Sequence, residues 1–147
     1  MNTSQRSESK KGDRPFPWKC PACLQREVYP HQLDYTTTIK HDGLLVDLHL
    51  PTFEVPKCRV CGELLFNDLA DQQINVAIRS HLQLLSPEEI RQHREALDWT
   101  TTDLAERLNL SASAVIRWEN GSSIQSQLMD EALRLHLTVL TRALNLR

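Results

Sequence analysis

The sequence predicts an α+β chain in which a small N-terminal β lobe, a linking helix and a C-terminal all-α lobe follow one another. Three observations carry that prediction. Two Cys-x-x-Cys pairs, Cys20/Cys23 and Cys58/Cys61, bracket 34 residues of short, strand-like runs. After Asn67 the apolar period lengthens from alternation to every third or fourth position. Helix-start signals then recur at Ser86, Thr100 and Ser111.

Residues 1–17 are rich in Ser, Lys and Arg, and they read as a disordered tail. Residues 1–19 carry five basic side chains against Glu8 and Asp13. Such a tail can dock on DNA as a homeodomain arm does, but an inert solvated tail is the preferred reading. Residues 18–67 form the β lobe. Tyr35–Lys40 and Leu44–Leu50 are rich in strand formers, and Asp42-Gly43 between them signals a hairpin turn. Glu63–Phe66 adds a short strand. Residues 68–85 form the linking amphipathic helix, capped at Asn67 or Asp68 and apolar at Ala70, Ile74, Ile78, Leu82 and Leu85.

Residues 86–147 form the helical lobe. Ser86-Pro87-Glu88-Glu89 combines a capping serine, a first-turn proline and a third-position glutamate, and its helix extends to about Leu97. Thr100 and Asp103 repeat the capping box before a short helix through Leu108, which Asn109 ends by tolerating a left-handed backbone. Ser111 caps a third helix ending at Gly121, and residues 124–145 form the last.

Composition bounds the function. Lys and Arg number 17 against 19 Asp and Glu, which excludes a uniformly basic nucleic-acid coat but not a local contact face. Apolar residues make up 40% and charged residues 24%, an ordinary globular mix. No apolar run reaches the roughly 20 residues that span a bilayer, and the N-terminus lacks the apolar stretch of a signal peptide. The expectation is a cytoplasmic protein without a membrane partner, whose four cysteines stay reduced.

Each Cys-x-x-Cys presents two thiolates from one turn, and Cys20, Cys23, Cys58 and Cys61 together complete a tetrahedral Zn²⁺ site. Gly62 suits the turn that aims amides at sulfur; Leu24, at the matching place, suits it less. Four protein ligands leave no position for water, so the single Zn²⁺ is structural. A lobe this small buries too little apolar surface to fold unaided, and a structural zinc contributes on the order of 10 kcal/mol. His31, His41 and His49 read as surface or hairpin residues. A thiol oxidoreductase needs one such pair opening a helix, and a zinc hydrolase needs an open position such as His-Glu-x-x-His supplies. Neither is present, and no enzyme is expected.

From Trp99 to Gly121, Leu104, Ala105 and Leu108 make an apolar face on one short helix. Leu110, Val115 and Trp118 do the same for the next, after the turn Asn109-Leu110-Ser111. That is the geometry of a helix-turn-helix, whose second helix enters the major groove of duplex DNA. Its exposed face is expected to carry Ala112, Ser113, Ile116 and Arg117. Arg117 can grip guanine or phosphate, Ser111 and Ser113 can donate at the helix start, and Thr101 is placed for a backbone contact. The competing reading is a plain helical bundle, since residues 86–147 hold seven Arg against nine acidic side chains.

The run Ser111-x-Ser-x-Val-x-Arg-Trp-Glu-Asn-Gly121 resembles the recognition helix of Xre/Cro-type repressors. Cys-x-x-Cys, a hairpin and Cys-x-x-Cys-Gly-Glu-x-x-Phe resemble the YgiT-type zinc finger. Joined in this order over residues 18–147, the two are similar to the MqsA-type antitoxins, which bind an RNase toxin and repress their own operon. The resemblance implies that Arg117 reads DNA and that the zinc lobe holds the toxin. Ser113 stands where that family carries a base-reading Asn, and Thr101 where Xre-type domains commonly carry Gln.

The last helix is apolar on two stripes: Leu128, Ala132, Leu135 and Val139, and Met129, Leu133, Leu137, Leu140 and Leu144. One can pack on the helix-turn-helix; the other suits a two-fold mate, so a homodimer on a palindromic operator is expected. Packing of both stripes within one chain is the alternative. The reading is a transcriptional repressor, the antitoxin of a type II toxin–antitoxin pair, with an orphan regulator lacking a toxin as the alternative.

Overall fold

The computed structural model describes residues 14–145, with side chains to residue 137. The predicted tail therefore falls largely outside the described residues; within them the backbone is placed from Arg14, whose carbonyl accepts the Trp18 indole N–H at 2.9 Å. The described residues form two compact units, 14–35 with 49–74 and 36–48 with 75–145.

Within the first unit, β1 (Val28–Tyr29) pairs antiparallel with β4 (Lys57–Cys58), Val28 facing Cys58. Single bridges extend this ladder at Trp18–Val28 and Lys57–Leu64. The bridge at Leu64 is all that forms where Glu63–Phe66 is expected to make a strand; Pro56 and the turn at Cys61-Gly62 leave too little extended chain. β2 (Gln32–His41) and β3 (Leu44–Glu54) are the hairpin; β2 is longer than expected at both ends, and β3 starts at Leu44 as expected but runs four residues further. Its turn places Asp42 at φ 52° and Gly43 at φ 76°, the two positive values that a tight two-residue hairpin connection requires.

Along β3, Val46, Leu48 and Leu50 are buried on alternate positions, but Phe53 and Val55 are buried too. The alternation slips by one at Pro51-Thr52, where proline has no N–H to give a ladder. Phe53 stacks on Tyr35 with ring centroids 4.7 Å apart, and Phe66 lies 6.0 Å from both rings. Aromatics are few in this chain, and three of them are spent on this one contact.

α1 (Asp68–Leu82) starts at Asn67, whose side-chain oxygen accepts the Ala70 N–H at 3.0 Å. Gln73 clamps its first half to the end of β3: its amide accepts from the Glu54 N–H and donates to the Glu54 carbonyl.

In the second unit, α2 (Pro87–Ala96), α3 (Thr101–Arg107), α4 (Ala112–Glu119) and α5 (Gln127–Asn145) follow. Ser86 with Glu89 and Thr100 with Asp103 form complete capping boxes, as the sequence predicts. Ser111 does not cap: its hydroxyl lies 2.9 Å from that of Ser113 and makes no bond to the α4 backbone. Helices α1, α2 and α3 end alike, with Gln83, Asp98 and Asn109 at positive φ. In each, the next residue donates its N–H to the carbonyl five residues back, Leu84 to Arg79, Trp99 to Arg94 and Leu110 to Ala105. This closure satisfies carbonyls that a helix end leaves open.

The core of this unit is Leu85, Ile90, Leu104, Ala105, Val115, Trp118, Leu133 and Leu137. It takes in Leu133 and Leu137 of the second α5 stripe, with Met129 packed against it, while Leu128 and Leu135 on the first are 70% and 63% exposed. Asp130 is buried and accepts from the Leu85 N–H, the Gln125 amide and Arg134. Val139, Leu140 and Leu144 lie beyond the described side chains.

Candidate metal centre and nucleic-acid interface

Two matching turns build the cysteine cluster. In the first, Leu24 N–H donates to the Cys20 carbonyl at 3.0 Å and Cys20 N–H to the Gln25 carbonyl at 2.8 Å. In the second, Gly62 N–H donates to the Cys58 carbonyl at 3.0 Å and Cys58 N–H to the Glu63 carbonyl at 2.9 Å. Leu24 adopts φ 64° and Gly62 φ 79°, so leucine takes the conformation that glycine takes freely. The β1–β4 ladder brings the turns together, and Arg59 braces the second by lying 3.7 Å over the Tyr29 ring.

Cys20 and Cys58 are buried, Cys23 is half-buried and Cys61 is exposed. The sulfurs of Cys20 and Cys61 lie 3.6 Å apart, as do those of Cys23 and Cys58. All four lie within 4.8 Å of one another. Sulfurs about 2.3 Å from a tetrahedral zinc would be about 3.8 Å apart, so the set is already near the size of a closed site. The four thiols can hold one metal ion such as zinc. No histidine belongs to the cluster: His49 pairs with Asp34, and His41 lies 3.2 Å from the Gln125 carbonyl.

Electrostatics point the same way. The Cys61 N–H, against burial and with help from Val60, brings the Cys58 thiol down to about 7. At Cys61 the Glu63 N–H pulls the same way, but burial and the three neighbouring thiols outweigh it and push the group up to about 12. Four negative charges this close are stable only around a cation, which reverses that upward push.

The second candidate site lies on α3 and α4. Val115 and Trp118 point into the core, leaving Ser113, Ile116 and Arg117 exposed. The Arg117 guanidinium has no hydrogen-bond or ion-pair partner among the described residues. Ser111 is exposed at the start of α4, and Thr101 is half-buried at the first position of α3. Ala112 departs from the expected exposed face, since it packs partly against the core.

Two supports lay outside the sequence reading. Arg94 on α2 forks onto Glu119 at 2.6 and 3.0 Å and also donates to the Trp99 carbonyl at 2.7 Å. The pair is nearly buried, and Glu119 raises the Arg94 pKa against the pull of desolvation. This fixes the C-terminal end of α4, two residues beyond Arg117. Arg107 lies 4.0 Å over the Trp99 ring. The available signal was Glu119 itself, an acidic residue directly after a buried tryptophan.

Residues 90–135 match the helix-turn-helix family model, of the Xre type. No curated protein matches the chain. The match spans Ile90 to Leu135, and it covers α2 from its fourth residue, all of α3 and α4 and the first half of α5. A helix-turn-helix of this type supports a DNA-binding transcriptional regulator. No described helix is long and apolar enough to cross a membrane.

Proposed function

We propose that the protein is a transcriptional repressor that binds a palindromic operator as a homodimer and is the antitoxin of a type II toxin–antitoxin pair. The observation that carries the DNA-binding part is the exposed face of α4. Arg117 stands unpartnered on a helix locked from behind by Val115, Trp118 and the Arg94–Glu119 fork. Arg117 takes the base or phosphate contact, Ser111 and Ser113 donate at the start of α4, and Thr101 contacts the backbone.

The exposed Leu128 and Leu135, two turns apart on α5, support a two-fold mate at the C-terminal domain. Cys20, Cys23, Cys58 and Cys61 hold one structural Zn²⁺ that orders the N-terminal lobe. The combination of a four-cysteine lobe with an Xre-type domain supports the antitoxin reading, in which that lobe neutralises an RNase toxin. The second reading is an orphan regulator of the same architecture, which the helix-turn-helix match fits equally well.

Selection of random duplexes by the zinc-loaded full chain tests the proposal. Enriched palindromes are expected, with Arg117→Ala weakening the best of them by about 1–3 kcal/mol at unchanged helix content. Unchanged affinity removes Arg117 from the reading role. Affinity capture from the native cells tests the toxin: a small stoichiometric protein encoded next door supports it, and DNA without protein leaves the orphan regulator.

A further inference from the structure

The first unit holds a cavity of about 620 Å³, within the size range of small-ligand sites. It opens between the segment before β1, the ends of β2 and β3, and the amino end of α1. Phe16 and Trp18 stack with ring centroids 4.3 Å apart and supply an aromatic wall, and Leu69, Glu54 and Asp68 are among the other lining residues. The lining contains two acidic side chains and no Lys or Arg.

The Trp18 indole N–H is held by the Arg14 carbonyl, so the rings offer their faces. The amino end of α1 carries a partial charge of roughly +0.5, which its own Asp68 and Asp71 more than offset. The floor is rigid, because Gln73 bonds both backbone groups of Glu54 and the Val55 N–H bonds the His31 carbonyl. Two carboxylates, of which Glu54 also accepts from the Gln32 amide at 2.8 Å, π faces and the apolar Val55, Pro56 and Leu69 are complementary to a positive charge carried on a flat apolar body.

We infer that this cavity is a binding site for a small organic cation, an amine or guanidinium on an aromatic or alkyl body. Such a ligand would act on the metal-binding lobe and not at the DNA-reading helix, and the inference does not rest on the antitoxin reading.

Calorimetric titration of the zinc-loaded full chain tests it, with phenethylamine and agmatine as probes and 2-phenylethanol and phenylacetate as neutral and anionic controls. The expected result is saturable one-to-one binding of the amines, with the controls at least about tenfold weaker. Glu54→Gln with Asp68→Asn should reduce amine affinity by at least about tenfold, and Phe16→Ala should weaken it separately. Glu131→Gln, an exposed carboxylate on α5 outside the cavity, should leave it unchanged; circular dichroism and zinc content check that each variant is folded. Equal binding of the neutral control, equal loss in Glu131→Gln, or no saturation by any amine overturns the inference.

Discussion

The two lobes reach order by opposite means. The β lobe around the cysteines buries Cys20, Val28 and Cys58 as one cluster, two of the three being thiols of the candidate metal site. The helical lobe buries an apolar cluster of eight residues, all Leu, Ile, Ala, Val or Trp, and adds capping boxes and a nearly buried ion pair. The difference teaches that a chain can specify one lobe by four ligand positions and the other by a distributed apolar pattern. The first kind fails all at once when one ligand goes, whereas the second loses stability in increments.

Removing a ligand is the hardest test of that contrast. Cys58→Ser, or a strong chelator, should release one metal ion per chain and unfold the β lobe, forfeiting on the order of 10 kcal/mol of coupled binding energy. Trp18 should become solvent-exposed, while Trp99, Trp118 and the helical circular dichroism persist. Elemental analysis and single-tryptophan variants would read this. Loss of helical signal together with the metal would break the contrast, because the helical lobe would then depend on the cluster.

The converse test strikes the helical lobe alone. Glu119→Ala leaves the Arg94 guanidinium nearly buried without its carboxylate, and loss of one partner of such a pair costs about 3–5 kcal/mol. Denaturant midpoints followed at Trp118 should fall accordingly, with metal content unchanged. A core truncation gives a second reading: Leu133→Ala, at a fully buried site, should cost about 2–5 kcal/mol by the same assay. If either variant lost metal, the two lobes would not be energetically separate.

The same contrast governs what sequence could reveal. Cysteine spacing exposed the cluster because ligands are rare residues whose chemistry survives any backbone detail. Asp42-Gly43 exposed the hairpin turn because few residue pairs accept two positive φ values. Helix starts at Ser86 and Thr100 were legible because capping is a local bond between residues three apart. Helix ends were legible only in part: Asn109 takes the left-handed conformation its residue type favours, whereas Gln83 takes it for backbone hydrogen bonds with no residue preference to announce it. Ser111 shows that a capping residue type does not secure a cap when a neighbouring hydroxyl competes. Arg94–Glu119 and the cavity join residues distant in sequence, so only tertiary structure assembles them.

The smallest expected effect tests whether the helical lobe is in fact a sum of local increments. Asp103 accepts the Thr100 N–H at 2.8 Å, and that bond, with the Thr100 hydroxyl, holds its carboxyl below the ordinary 3.8. A carboxyl whose folded pKa lies below its unfolded value stabilises the fold above the unfolded value, and that contribution is lost as pH falls through the folded one. The capping increment should therefore be complete at neutral pH and should begin to fade as pH drops below about 4. Thr100→Ala should cost roughly 1 kcal/mol at pH 7. Asp103→Asn should be less stable than the parent at pH 7, and the gap should narrow on acidification, because the parent loses a charge that the variant never had. Acid also protonates the cysteines, so the comparison belongs to Trp118-detected unfolding of parent and variant at each pH. A gap that stays constant from pH 7 to pH 3 would assign the Asp103 contribution to something other than its charge.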